Sequence, residues 1–298
     1  VSFGLFVPSR LLTAAKYGGV NVHPSLLPEQ VTHHILLFTT SQLIKTSLRG
    51  PAPLHHTLLS GRTTTGITLQ TLHHKHFDQG LILDQTPAPG IPIPNPESCT
   101  LPELLGLLAP KGAEMLINGI RNRVFVPPLK EVKSQFNGSV ARDLTHAAKI
   151  TPEDRHIKWR EWSWTDINRR QRVLSPLWSK AFIPAQKPSA EDPKNSQWKR
   201  IIFDKIEEVS QDTVPESQWL SLLPGVPFIP SSPTQTKVHD KAMYVYTADG
   251  KLLRLKKLKV EGEKFNDALT AAQKAHMLSP KSFRATDAEF SLFFNPLC

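Results

Sequence analysis

The sequence predicts two domains, an α/β domain in the first half and a mostly β domain with a basic face in the second. Three observations lead there. Short apolar runs and stretches of helical spacing alternate through the first 120 residues, as in VSFGLFVP, SRLLTAAKY and VNVH. From about residue 127 the chain turns polar and is broken by Pro and Gly, in PPLKEVKSQFNGSVARDLTHAAKITPEDR, which has the character of a linker. Beyond it, MYVYTADGKLLRLKKLKVEG (243–262) reads as a hairpin about Asp249-Gly250, a favoured turn pair.

Taken in order, residues 1–8 read as a short buried strand and Ser9 to Tyr17 as a helix closed by Gly18-Gly19. Val20 to Val22 form the next strand, whose carboxyl end delivers Asn21 and His23; open α/β sheets place ligands at such strand ends. Residues 52–60 look helical, TGITLQTL (65–72) reads as a strand, and LILDQTPAP (81–89) as its antiparallel neighbour. Between those two lies HHKHFDQG, a turn carrying Asp78. Residues 101–120 have helical spacing, with a kink expected at Pro110. In the second domain FNDALTAAQKAHM is a helix and LLPGVPFIPSSPTQ a surface loop.

The 298 residues suffice for two domains with separate cores, 39% are hydrophobic and 26 are proline. No apolar run reaches the length of a membrane span. Two cysteines, Cys99 and Cys298, make neither a disulfide framework nor a zinc set, which suits a reducing compartment. The formal charge of +10 favours a polyanionic partner, most simply nucleic acid, although many basic proteins bind none. The chain opens at Val1, within a strand by its pattern, so no targeting peptide can be read.

Asn21, His23 and Asp78 are the one polar trio with a mechanism. An amide donor, an imidazole and a carboxylate suit attack of an amine on a carbonyl: Asn donates to the developing oxyanion, His donates or moves a proton, and Asp fixes the imidazole. Each alone has a plainer explanation, since Asn at a strand end and Asp before Gln-Gly both make turns. The clusters His33-His34, His55-His56 and His73-His74-Lys75-His76 invite a metal, but adjacent strand side chains point to opposite faces and no Cys or acidic cluster completes a set. No metal is therefore expected. Phosphate loops and nucleophile elbows are absent from the sequence. Lys251, Arg254, Lys256, Lys257 and Lys259 fall along one expected strand between Leu252, Leu253, Leu255 and Leu258, and Arg169, Arg170 and Arg172 cluster on an expected helix. Such cations are either a solvated surface or a groove for an RNA backbone.

These motifs together resemble the methionyl-tRNA formyltransferases, most of all the mitochondrial enzymes of eukaryotes. The resemblance rests on NVHPSLLP (21–28), RGPAP (49–53), TGIT (65–68), Asp78-Gln79-Gly80, HAAKITPEDRHIKW (146–159) and TADGKLLRLKKLKVEGEK. NVHPSLLP and the D-x-G turn alone are shared with other formyltransferases that use 10-formyltetrahydrofolate. It implies a partial Rossmann-like formyltransferase domain over 1–133, a linker over 134–154, an OB-like tRNA-binding domain over 155–278, and an unassigned tail over 279–298. It further implies formyl transfer from 10-formyltetrahydrofolate to the α-amine of initiator methionyl-tRNA by a monomer in the mitochondrial matrix, with no membrane partner. On this pattern Asn21 holds the formyl oxygen, His23 assists the tetrahedral intermediate and Asp78 sets the protonation of His23. Ser25, Leu26, Leu27, Pro28 and Gly80 would line the folate site, and Arg49 with the cations named above would hold tRNA.

Three departures from the pattern stand out. The family's opening strands and helix are missing. Glu29 to Ser47 intervene where relatives pass from SLLP to the RG pair within a few residues; the expected origin is a short intron translated in frame, a true lid being the alternative. Residues 279–298 have no counterpart. The remaining functional alternatives are a formyltransferase acting on a small amine, and a catalytically dead RNA-binding remnant.

Overall fold

The computed structural model describes residues 7–27, 48–76, 78–132, 146–183, 197–216, 222–229, 241–275 and 277, and the chain divides into two compact units, Val1–Ile150 and Thr151–Cys298. The expected first strand, apart from its last two residues, the 29–47 insertion and the 279–298 tail lie outside the described residues.

In the first unit, helix α1 (Ser9–Ala14) turns through Gly18 at φ +68° into strand β1 (Val20–His23). Helix α2 (Pro53–Leu59) starts on a proline, whose missing N–H costs nothing at a helix start. Strand β2 (Thr64–Thr65) pairs with β5 (Ile91–Pro92) in a small ladder. The main sheet joins β1, β3 (Thr68–Thr71) and β4 (Ile82–Gln85) in the order β1-β3-β4, antiparallel throughout, with a bulge beside Leu69 and Gln70. Asn21 stands opposite Gln70 and His23 opposite Thr68, so the period-two alternation gathers these four polar residues on one face.

The other face is apolar and packs on helix α3 (Leu101–Arg121), which opens with a reciprocal Thr100/Glu103 capping box. Gly112 and Gly119, two turns apart, let α3 approach: a Cβ would lie 3.1 Å from Val22 Cγ1 at the first and 2.5 Å from Leu69 Cδ2 at the second. The helix continues through Pro110 as one element.

The second unit holds helix α4 (Trp164–Leu174), capped by Ser163 and Asp166, then β6 (Trp178–Ile183), β7 (Gln197–Phe203), β8 (Ile206–Glu208), β9 (Met243–Tyr246), β10 (Leu252–Leu255), β11 (Lys257–Val260), β12 (Asn266–Asp267) and helix α5 (Ala268–Lys274). Among the described residues its strands form two sheets, β8-β10-β9 and β12-β11-β7-β6. The chain crosses between them at Asp204–Lys205 and again at Lys256. Every ladder between named strands is antiparallel, in both units.

The described residues bear on several expectations. The described sheet of the first unit is antiparallel, so the parallel ladder that a Rossmann-like reading calls for is not among the described residues. The stretch 251–259 is two strands rather than one. Leu252 and Leu253, adjacent in sequence, are both fully buried, so β10 is covered on both faces and the alternation that would separate leucines from cations does not hold. The end of the expected linker is docked: Ala147 is fully buried, donates its N–H to Arg49 O at 2.6 Å and accepts from Ala52 N at 3.2 Å. The expected surface loop is in part core, because Leu222 is buried and Phe228 exchanges both backbone hydrogen bonds with Tyr244, at 2.8 and 2.9 Å.

Candidate active site

The polar face of the β1-β3-β4 sheet carries the site. His23, the last residue of β1, is only 4% exposed. Its Nδ1 lies 3.3 Å from Asp78 Oδ1 and its Nε2 lies 2.9 Å from the Leu48 carbonyl oxygen. Both ring nitrogens thus face acceptors; a ring with one N–H satisfies one of them, and a ring with two satisfies both.

Asp78 sits at φ +53°, a left-handed position that Asp tolerates and that turns its carboxylate back toward the sheet. Oδ1 also accepts from Gln70 Nε2 at 3.1 Å, and Oδ2 accepts from the Gly50 N–H at 2.9 Å. Burial alone would raise the Asp78 carboxyl, but the hydrogen bond and charge of His23, the Gly50 N–H and the Gln70 amide together hold it below the ordinary carboxylate value. Arg49 is half-buried beside it: burial lowers its guanidinium from the usual value and the charge of Asp78 works in the opposite sense.

The segment after His23 is fastened to the sheet by side chains. Thr68 Oγ1 donates to Ser25 O at 2.7 Å and accepts from Leu27 N at 3.1 Å; Gln85 Nε2 donates to Leu27 O at 2.8 Å. Ser25 Oγ donates to Leu48 O at 3.2 Å, the same carbonyl that faces His23. Leu26 and Leu27 are buried, with Leu26 against Gly66, and so shape the site from inside. Gly80 approaches the β3 backbone so closely that a Cβ would lie 1.6 Å from Thr71 O. Pro28 lies outside the described residues.

The structure therefore brings His23, Asp78 and Ser25 together and places Asn21, half-buried, on the same sheet face. Sequence reasoning passed over Gln70, Thr68 and Gln85. The signal for Thr68 and Gln70 was present in TGITLQTL, where polar residues two apart sit inside an apolar strand.

The histidines at 73, 74 and 76 lie in the expected turn between β3 and β4 and stack, with ring centroids 4.6 Å (73–74) and 5.1 Å (73–76) apart, and His73 Nδ1 accepts the N–H groups of Lys75 and His76. No three His, Cys, Asp or Glu side chains among the described residues gather as a metal site.

In the second unit the predicted cations do not form one face. Lys251 pairs with Glu208 at 3.2 Å and Lys256 with Glu207 at 2.8 Å, while Arg254 lies on β10 opposite Glu207. Lys257 and Lys259 belong to the other sheet, on β11. On α4, Arg170 stacks over Trp162 at 4.0 Å and pairs with Asp166 at 3.4 Å; Arg169 and Arg172 are half-buried. Exposed Trp198 and Arg200 on β7 and exposed Lys180, which faces Arg200 from β6, add an aromatic and two cations that were not anticipated.

Residues 1–99 match the formyl transferase family model. The chain is similar to mitochondrial methionyl-tRNA formyltransferases: it is 32% identical to that of Saccharomyces cerevisiae over 68% of this chain and 48% of that one. It is 34% identical to the human mitochondrial protein over 59% of this chain and 38% of that one. To the putative methionyl-tRNA formyltransferase of Schizosaccharomyces pombe it is 29% identical, over 64% of this chain and 57% of that one. The chain thus spans about half the length of the curated relatives it matches. Among solved structures, HypX from Aquifex aeolicus in complex with tetrahydrofolic acid is similar over 86% of this chain and 35% of its own, at 12% identity and a TM-score of 0.44. Asn21, His23, Ser25 and Asp78 fall within the matched residues.

Proposed function

We propose that this chain is a methionyl-tRNA formyltransferase, moving the formyl group of 10-formyltetrahydrofolate to the α-amine of initiator methionyl-tRNA in the mitochondrial matrix. One observation carries the reading: a buried His23–Asp78 pair, clamped by Gly50 and Gln70, on the sheet face that also bears Asn21, within the residues that match the formyl transferase family model. The amine nitrogen bonds to the formyl carbon, the bond to folate N10 breaks, and the proton lost by the amine ends on N10. Asn21 and His23 donate to the oxygen as its charge develops, and Asp78 holds the ring in orientation. Ser25 and the 26–28 segment with Gly80 border the folate. Arg49, beside Asp78, and the second unit's cations Arg169, Arg170, Arg172, Lys251, Arg254, Lys256, Lys257 and Lys259 meet tRNA phosphates. On this reading the first unit is part of a Rossmann-like domain, the second an OB-like barrel, and the protein a monomer. Neither a metal nor a redox cofactor is needed for an acyl transfer of this kind.

Formyl transfer to methionyl-tRNA by the full chain tests the proposal. With His23→Ala the rate falls by about 10²–10⁴, the usual loss for a general acid–base group. A rate within a few-fold of the parent would sink the assignment.

A second reading is favoured by the Leu48 carbonyl 2.9 Å from His23 Nε2, which occupies the ring nitrogen that a substrate oxygen would use. If segment 48–50 stays in place, the chain binds RNA without catalysis. Steeply salt-dependent tRNA binding with no formyl transfer by the parent chain would select that reading.

A further inference from the structure

Gln70 sits in the middle strand of the site sheet, opposite Asn21, and is 1% exposed. Its orientation is fixed by chemistry. The Asp78 carboxyl is held in its ionised form and can only accept, so the Gln70 amide must turn its NH₂ to Oδ1, as the 3.1 Å contact has it. The other end of the amide, Oε1, is then a buried acceptor, and it has no hydrogen-bond partner among the described residues. Buried amide oxygens are nearly always paired, and one left unpaired beside an active-site carboxylate has room in its valence for a donor that arrives with a ligand.

We infer that Gln70 is a ligand-binding residue of this site, with Oε1 accepting an N–H from a bound reactant. The inference rests on the formyl-transfer reading and adds to it a contact for the reactants. A neutral acceptor suits this place. A carboxylate there would hold an incoming amine as its ammonium, which has no lone pair to attack with, whereas an amide oxygen orients an uncharged amine and leaves the lone pair available. Two reactants carry N–H groups: the acceptor, through its α-amine, and the folate, through its ring nitrogens.

The experiment measures equilibrium binding of the full chain to 5-formyltetrahydrofolate, which stands in for the donor without transferring its group, and separately to methionyl-tRNA. Gln70→Met keeps the length and packing of the side chain but offers no oxygen. It should weaken one of the two ligands about tenfold, as loss of one hydrogen bond does, and leave the other within about twofold. The ligand that weakens identifies the source of the N–H. In the parent chain, saturation with that same ligand should also shift the Gln70 side-chain amide signals in a ¹⁵N spectrum, a readout that does not depend on the variant folding. If Gln70→Met binds both ligands like the parent, or if neither ligand moves the Gln70 amide, the inference is overturned. A parent chain that binds neither ligand overturns the functional reading first, and this contact with it.

Discussion

Asp78 grips His23 through Oδ1 at 3.3 Å while its other oxygen takes the Gly50 N–H at 2.9 Å, so one carboxylate ties the end of β1 to the backbone of the RG pair. Three donors converge on it: the ring, the Gln70 amide and the Gly50 N–H. Asn in its place offers one acceptor oxygen and turns an NH₂ toward a donor. Asp78→Asn should therefore lower formyl transfer by about a hundredfold or more and cost about 1–3 kcal/mol of stability. The pH dependence has a definite sign. The folded carboxyl lies below its reference value of 3.8, so its stabilisation is complete above that value and is lost as pH falls through the lower folded one. Denaturant titrations from pH 2.5 to 7 should show the gap between parent and variant constant above about pH 5 and closing in acid. A gap that persists unchanged at the acid end would refute the coupling.

Gly80 and Gly18 separate crowding from backbone strain. A Cβ on Gly80 would lie 1.6 Å from the Thr71 carbonyl oxygen, which is backbone and cannot swing aside, whereas nothing lies within 4 Å of the same atom on Gly18. Gly18 has φ +68°, so Gly18→Ala meets only the left-handed penalty of about 1 kcal/mol. Gly80→Ala must displace the Asp78 turn from β3 and should cost about 3 kcal/mol or more, together with activity. Chemical denaturation of the two variants checks the order, and equal losses would mean that the turn relaxes freely.

The lysines that flank β8 and β10 are already partnered, and that shapes how they would bind RNA. Lys256 and Lys205 both reach Glu207, at 2.8 and 3.2 Å, and Lys251 reaches Glu208. The Lys256 hydrogen bond is the main reason the Glu207 carboxyl lies below its ordinary value. A phosphate contacting Lys256 or Lys251 meets the charge of a glutamate already paired there. The double variant Glu207→Gln with Glu208→Gln should thus bind tRNA more tightly, with little change in folding stability because exposed pairs contribute about 0–1 kcal/mol. Lys256→Ala should reduce the slope of log K against log salt by about 0.7–0.9, the value of one phosphate contact. If neither variant alters tRNA binding, these lysines serve only the β8–β10 edge.

How far the sequence could be read follows from which forces are local. Helices α2, α3 and α4 were legible because Pro53 and the Thr100 and Ser163 caps are sequence-local signals. The β9–β10 hairpin was legible through Asp249-Gly250, and the pairing of β3 with β4 through their alternation. The change of sheet at Lys256 was not, because it depends on burial of both faces of β10 by elements distant in the chain. At the site, His23 and Asp78 stood out as ionisable residues in unusual company. The contact of His23 with Leu48 joins residues 25 apart, and Gln70 gains its meaning only from its register opposite Asn21; no local pattern encodes either.

The second unit carries its own acid-sensitive element. His156 stacks on Trp178 with centroids 4.2 Å apart and planes 10° from parallel, Arg200 lies over the same indole at 4.3 Å, and Trp178 Nε1 donates to Pro152 O at 2.8 Å. Burial lowers His156 from its reference value of 6.5; Glu153 opposes that, while Lys180, Arg200 and Lys158 add to it. The unfolded chain therefore binds this proton more readily than the folded one, so the neutral stack is at full strength above about pH 6.5 and weakens as pH falls below it. His156→Phe keeps an aromatic ring on Trp178 and removes the titration. Thermal melts between pH 5 and 8 should show the parent losing midpoint temperature below about pH 6.5 and the variant losing less over the same window. Parallel curves would show that the proton is taken up elsewhere and that the stack is only a packing contact.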